Sequence, residues 1–357
     1  MSFPPSSNLP ALQGGLLALM AAALFGASTP LVQKLGEGVG AFTTAALLYA
    51  GAAVVGWLLR QPIEREARIR RADMRWLFAM ALFGAVVGPV ALAWGLQRTS
   101  GMGASLMLTL EALFTALLAW RLYGETMDRR VWAAVLMLLA GGLTLVLDQG
   151  RDGATQLWGL LAVMAATAAW GMDNTLSRAV ADRDPGQVVL AKAALGASST
   201  AVTALLAGEA LPTVWKAAGL LVVGAVGYGL SLRFYLLAQR AFGAARTGSV
   251  FALGDRSGSW GLVLGGVLML IGVVVHLSEG HQHEHVHEAM DHEHAHTHED
   301  GHHGHRHNPM PQGSHSHWHR HEALTHKHPH VPDSRLASTT LRSRLSFNVE
   351  RLLFQLA

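Results

Sequence analysis

The chain has 357 residues, is 51% hydrophobic and 14% charged, and has a mean hydropathy of +0.29. These values exclude an ordinary soluble domain and describe a polytopic membrane protein. The formal charge of +3 does not point to nucleic acid, because the arginines gather in short connections between apolar runs, where they orient a membrane protein.

Cysteine is absent, which removes disulfides and thiolate metal sites. The N-terminal MSFPPSSNLPALQGG lacks the basic region and cleavage pattern of a removable signal, so the first span is expected to stay as an anchor. At about 17–25 apolar residues per helical crossing, crossings are predicted near Gly14–Val32, Phe42–Leu59, Trp76–Leu96, Met102–Trp120 and Val131–Leu147. Further crossings are predicted near Leu157–Leu176, Val188–Leu206, Ala217–Leu237 and Trp260–Leu277. Arg60, Arg65, Arg68, Arg70, Arg71 and Arg75 crowd one connection, and Arg121, Arg129 and Arg130 another. This positive excess assigns both connections to the cytoplasm and the N-terminus to the inside of a bacterial-type inner (plasma) membrane, with the lipid bilayer as partner. Trp57, Trp76, Trp132, Trp158, Trp215 and Trp260 fall near span ends, as an interfacial aromatic belt requires.

The chain also repeats itself. FGASTPLVQKL (Phe25–Leu35) aligns with WGMDNTLSRAV (Trp170–Val180), and LQRTSGMGAS (Leu96–Ser105) with AQRAFGAARTGS (Ala238–Ser249). Two halves of five spans each, an odd number, would insert in opposite orientations. The expected fold class is therefore an all-α polytopic membrane protein, an inverted repeat of two five-helix units. In the second half the ninth span is largely missing: Thr247 to Gly254 takes 7 residues where Ala104 to Gly124 takes 20. The remnant Gly248–Leu253 would rise only about 9 Å as a helix, too little to cross. Either about nine full crossings place the C-terminal tail outside, or the remnant is a re-entrant segment buried against protein.

The first-span FGASTPLVQKL, the fourth-span GASLMLTLEALFTALLAWRLYGE with the WAAVLMLLAGGLTLVL that follows, and the sixth-span WGMDNTLSR resemble the drug/metabolite transporter superfamily, EamA type, over residues 12–278. The resemblance implies ten helices in two inverted repeats, a central substrate cavity and alternating access. The corresponding domains are residues 1–148 and 149–278, followed by a histidine-rich disordered tail at 279–333 and a possible amphipathic helix at 334–357. Where the family reads Leu-Glu-Pro, this chain has Leu110, Glu111 and Ala112, without the proline that would break the helix.

Charge at bilayer depth is costly, so ionisable residues there face a polar cavity, a partner or a transport path. Glu111 is the lone acid deep in the fourth span and can take up and release a proton; the alternative is a structural acid hydrogen-bonded to neighbouring helices. Asp173 and Asn174 align with Ser28 and Thr29, so polar groups of both halves are expected to meet, unless Asp173 pairs with Arg178. Lys192 is expected to snorkel to the inner interface. Arg233 either snorkels or faces the cavity, where it would suit an anionic metabolite or pair with Glu111. The candidate substrate and coupling set is thus Glu111, Asp173, Asn174 and Arg233.

Residues 279–330 hold 19 of the 20 histidines. Alternation as in HQHEHVH and HEHAHTH puts imidazoles on one side of an extended chain. Imidazole suits zinc, nickel, cobalt or cupric ions, with His281, His283, His285, His287, His292, His294, His296 and His298 as candidate ligands. Two windows match H-E-x-x-H through the alternation alone, without the ordered helix that a metalloprotease needs. The alternative is a polar tail that collects metal incidentally or buffers protons.

No Walker-type phosphate loop is present, so energy would come from a gradient or from exchange. The expectation is a secondary transporter, not an enzyme and with no required cofactor, that exports a small metabolite, amino acid or drug-like solute. Coupling would be to protons or by exchange. A zinc, nickel or cobalt exporter, and a non-transporting metal-binding membrane protein, are the alternatives. The partner is a small-molecule or ion substrate, and the sequence is compatible with a homodimer.

Overall fold

The computed structural model describes residues 9–61, 66–123, 129–149 and 154–242, together with four strands at 282–287, 290–296, 315–321 and 324–329. The helices are α1 (Leu9–Gly36), α2 (Ala41–Leu59), α3 (residues 71–96), α4 (Gly101–Leu108) and α5 (Leu110–Tyr123). They continue with α6 (Arg129–Gln149), α7 (Ala154–Ser177), α8 (Pro185–Leu206) and α9 (residues 214–242). Among the described residues six paths, α1, α2, α3, α4 with α5, α8 and α9, are long and apolar enough to cross a membrane, against the nine crossings expected. The helices α6 and α7 stand where the fifth and sixth crossings are predicted. The last predicted crossing, the remnant Gly248–Leu253 and residues 334–357 lie outside the described residues.

Local sequence explains the helix boundaries. Ser100 accepts from Gly103 N at 3.0 Å to cap α4, and Asp184 accepts from Gly186 N at 2.9 Å ahead of Pro185, the first residue of α8. On α6, Leu136, Leu139, Leu143 and Leu147 are all exposed. Their helical spacing makes a continuous apolar stripe of the kind that faces lipid. The fourth crossing breaks at Thr109 even without a proline. There the Thr109 hydroxyl donates to Leu106 O at 2.7 Å, and Ala112 N reaches back only to Thr109 O, so Glu111 falls in the first turn of α5.

Two crossings carry a seven-residue π-helical stretch near mid-span, Ala81–Val87 in α3 and Gly224–Leu230 in α9. A π-turn shifts the hydrogen-bond ladder and is frequent at functional sites. The helices α2 and α8 lie antiparallel in the most extensive packing of the molecule; α1 packs on the last part of α9, and α3 on α7. Glycines permit this closeness: a Cβ on Gly224 would land 2.5 Å from Leu48 Cα of α2.

Carboxylates bind both ends of the antiparallel pair. Glu209, after α8, accepts from Phe42 N at 3.2 Å and from Thr43 N and the Thr43 hydroxyl at 2.7 Å, capping the start of α2. At the other end Asp184 accepts from Gln61 N at 2.9 Å, and Arg183 pairs with the buried Asp73 at 2.7 Å.

In the tail, where the sequence leads one to expect no fixed structure, β1 (Gln282–His287) pairs antiparallel with β4 (Leu324–Pro329), and β2 (Met290–His296) with β3 (His315–His321). Of the candidate ligands, His281 and His298 lie outside the described residues. Trp318 of β3 receives the Arg70 guanidinium 4.7 Å from its ring centroid. This contact puts β3 on the same side as the arginine-rich connection, whereas nine crossings would put the tail opposite it.

Substituting Gly224→Ala is expected to cost about 1–3 kcal/mol through overpacking against α2, whereas Gly26→Ala, with open space around it, leaves stability unchanged or slightly higher. Thermal unfolding of the two variants in detergent checks the contrast.

Candidate functional site

Glu111, Asp173 and Asn174, three of the four residues singled out from sequence, line one cavity among the helices. Its volume is about 50 Å³, room for a few water molecules. Asn174 Nδ2 donates to Glu111 Oε1 at 2.5 Å, joining α7 to α5. Asn174 is itself positioned from α9: Gln239 Nε2 donates to its carbonyl at 3.1 Å, and the Ser177 hydroxyl donates to Gln239 Oε1 at 2.8 Å.

Lys192 is the residue that sequence reasoning misplaced. It does not snorkel: it is 1% exposed and its ammonium donates to Asp173 Oδ2, an ion pair between α8 and α7. Arg178, the other partner considered for Asp173, lies over the Tyr123 ring instead, at 4.7 Å. A charge with no water around it is retained only when paired and hydrogen-bonded, which explains why the lysine turns inward. Arg233 is outside the cavity, where it donates to Leu59 O at 3.0 Å at the end of α2. Ser28 and Thr29 are also outside it, both bonded back to Phe25 O at 2.6 and 3.5 Å.

The π-stretch of α3 makes room for the ion pair. A Cβ on Gly84 would collide with the Asp173 carboxylate and sit 2.7 Å from Lys192 Nζ. The Gly84 carbonyl accepts two side-chain hydrogen bonds, from the Tyr49 hydroxyl and from Trp170 Nε1 at 3.0 Å. Aromatic rings complete the wall: Phe25 meets Trp170 edge-on at 5.2 Å and Tyr228 at 5.4 Å, and Tyr228 meets Tyr49 at 5.7 Å. Phe25 and Trp170 open the two aligned repeat segments, so the internal repeat carried a signal for them. Tyr49 and Tyr228 had no such mark.

Two cavity groups, Asp173 Oδ1 and the Tyr228 hydroxyl, are buried without a hydrogen-bond partner among the described residues. Such groups are costly in an apolar interior and are satisfied by water or by a bound solute. The arrangement can therefore hold a small polar molecule between acids, an ammonium and aromatic faces. Among the described side chains no group of three or more His, Asp or Glu gathers as an ion site.

Residues 12–147 match the EamA-like transporter family. Over 209 residues the chain is 29% identical to an "Uncharacterized transporter" of Methanothermobacter thermautotrophicus, covering 55% of this chain and 59% of that relative's length. A solved structure, "Crystal structure of protein", superposes with a TM-score of 0.53 at 20% identity, covering 73% of this chain and 94% of its own, a likeness of fold. With its apolar helices, the chain is an integral membrane protein.

Replacing Lys192→Met leaves Asp173 buried and uncompensated, at an expected cost of about 3–5 kcal/mol. The double change Lys192→Met with Asp173→Leu is expected to recover most of that loss. A double-mutant cycle of unfolding in detergent tests it, and additive losses would contradict the pairing.

Proposed function

We propose that the chain is a secondary transporter that carries a small organic solute through this cavity by alternating access, with Glu111 as the coupling or gating acid. The observation that carries the reading is the buried polar cluster Glu111–Asn174 and Asp173–Lys192, set among membrane-spanning helices around a cavity with unsatisfied groups. Such a cluster is expensive to bury and is found where a membrane protein handles cargo or protons. The family match at residues 12–147 and the likeness to a transporter of Methanothermobacter thermautotrophicus support the same reading.

The cavity favours an organic cargo over a divalent metal. Its one ammonium, Lys192, already occupies Asp173, and five of its twelve lining residues are aromatic, a poor setting for a dication and a good one for a solute with both polar and apolar parts. Proton or solute exchange follows from the same geometry: a proton or a donor group of the cargo arriving at Glu111 or Asp173 changes the charge that the closed cavity must hold. Export, with the arginine-rich connections in the cytoplasm, is the direction we infer from the sequence.

Support for two inverted halves comes from matched contacts. The pairing of α3 with α7 corresponds to that of α9 with α1 when the halves are exchanged, and α2 with α8 corresponds to itself. Gly84 lies against Asp173 as Gly227 lies against Ser28, and both glycines sit at the fourth position of their π-stretch. The carboxylate contacts at the two ends of α2 and α8 are placed to open alternately.

In proteoliposomes with an imposed pH gradient, a panel of amino acids, amines and drug-like solutes is expected to include cargo whose flux Glu111→Gln lowers by at least about tenfold, an added barrier of about 1.4 kcal/mol. Thermal unfolding of Glu111→Gln should show an intact fold. Flux of nickel or zinc with none of any organic solute would favour the metal exporter, and no flux of either kind would leave a binding role.

A further inference from the structure

Most side-chain donors that line the cavity are spent inside the protein. The Tyr49 hydroxyl and Trp170 Nε1 both donate to Gly84 O, the latter at 3.0 Å, and the Ser231 hydroxyl donates to Ala21 O at 2.8 Å. The Asn174 amide donates to Glu111 Oε1, and the Lys192 ammonium to Asp173 Oδ2. Asp173 Oδ1 and the Tyr228 hydroxyl are left without a partner among the described residues, although Asp173 is only 3% and Tyr228 only 5% exposed. An ionised carboxylate oxygen can only accept. It therefore calls for a donor that the surrounding side chains do not supply.

Charge points the same way. Two carboxylates, Glu111 and Asp173, line the cavity against one ammonium, Lys192, so one negative charge is uncompensated when all three are ionised. Arg233, the cation that would suit an anionic cargo, lies outside. The rings of Phe25, Tyr49, Trp170, Tyr228 and Tyr235 line the same space, and aromatic faces attract a cation most strongly where both are out of water. The closed volume of about 50 Å³ has room for an ammonium head and the carbon behind it.

On the transport reading, on which this rests, we propose that the cargo is an organic amine carried as its ammonium ion, with Asp173 Oδ1 and the Tyr228 hydroxyl accepting from its N–H groups and the aromatic rings flanking its charge. Lys192 holds the other oxygen of Asp173 and so fixes the carboxylate that meets the cargo. The incoming ammonium brings the cluster to charge balance. A quaternary ammonium has no N–H for Asp173 Oδ1, and a carboxylate cargo meets that oxygen as a like charge, so the same two groups that favour an amine reject both.

The test uses the full chain in detergent and probes that share one body and differ in the head: 2-phenylethylamine, 2-phenylethanol, 3-phenylpropionate and phenylalanine. Radiolabelled 2-phenylethylamine is followed by equilibrium dialysis, and the others by competition against it. The amine is expected to bind saturably, and the alcohol, the anion and the amino acid at least about tenfold more weakly, since a hydrogen bond to a charged group is worth at least that factor. Butylamine, the same head on a slimmer body, is expected to compete. Tyr228→Phe is expected to weaken amine binding by at least about tenfold. The double change Asp173→Leu with Lys192→Met, which leaves no buried charge unpaired at that place, is expected to abolish it with the unfolding transition retained. No saturable amine binding to the unmodified chain, tighter binding of phenylalanine or 3-phenylpropionate, or unchanged amine binding in either variant would overturn the proposal. Amine binding without flux in proteoliposomes would sustain the ammonium site and fail only the transport reading; Glu111-dependent flux of phenylalanine with no amine bound would do the reverse.

Discussion

An ammonium and a carboxylate shut away from water must find each other, and the pair Lys192–Asp173 imposes that constraint on the centre of this molecule. Neither group can be left alone at bilayer depth. Bringing them together requires α7 and α8 to converge on α3 at a point where α3 has no side chain, which Gly84 provides. The π-stretch around Gly84 leaves a carbonyl that Tyr49 and Trp170 take up, so the elements that make room for the charges are also those that set the aromatic wall. Asn174, one residue on from Asp173, then reaches Glu111 on α5, and the two acids share one cavity.

The packing around that centre is tied at two ends. The antiparallel pair α2 and α8 runs its length, and each end is bound by a carboxylate from the connection beside α8, Glu209 at one end and Asp184 at the other. The ion pair Asp73–Arg183 reinforces the second end. Polar contacts of this kind exchange for water at low cost once an end opens, unlike the glycine-lined packing between α2 and α9, which is too close to loosen without separating backbones. Under the proposed alternating access, motion belongs at the ends and rigidity in the middle.

The tail obeys a different logic. Its described strands are joined by backbone pairing, β1 with β4 and β2 with β3, and the Arg70 guanidinium lies over the Trp318 ring of β3. Its place beside the arginine-rich connection follows from that contact and not from any count of crossings.

Much of this protein was legible as local pattern. Apolar run lengths predicted the helices, arginine clusters marked the connections, and the segment around Glu111 carried both the costly acid and the family resemblance, because each of these properties is written in consecutive residues. The aligned repeat segments even pointed to Phe25 and Trp170, which meet across the cavity. The partner of Asp173 was not legible: Arg178 is closer in sequence, and Lys192 looked free to reach the interface. The helix break at Thr109 was likewise hidden, since it depends on a hydroxyl bonding to its own backbone and not on a proline. Sequence by itself determined a helical membrane protein with an acid at depth and histidines strung along a tail, since hydrophobicity and charge act residue by residue. Which charges meet, which glycines make room for them and which histidines stand opposite one another were decided by the tertiary structure, because those depend on helix crossings and strand register between residues distant in the chain.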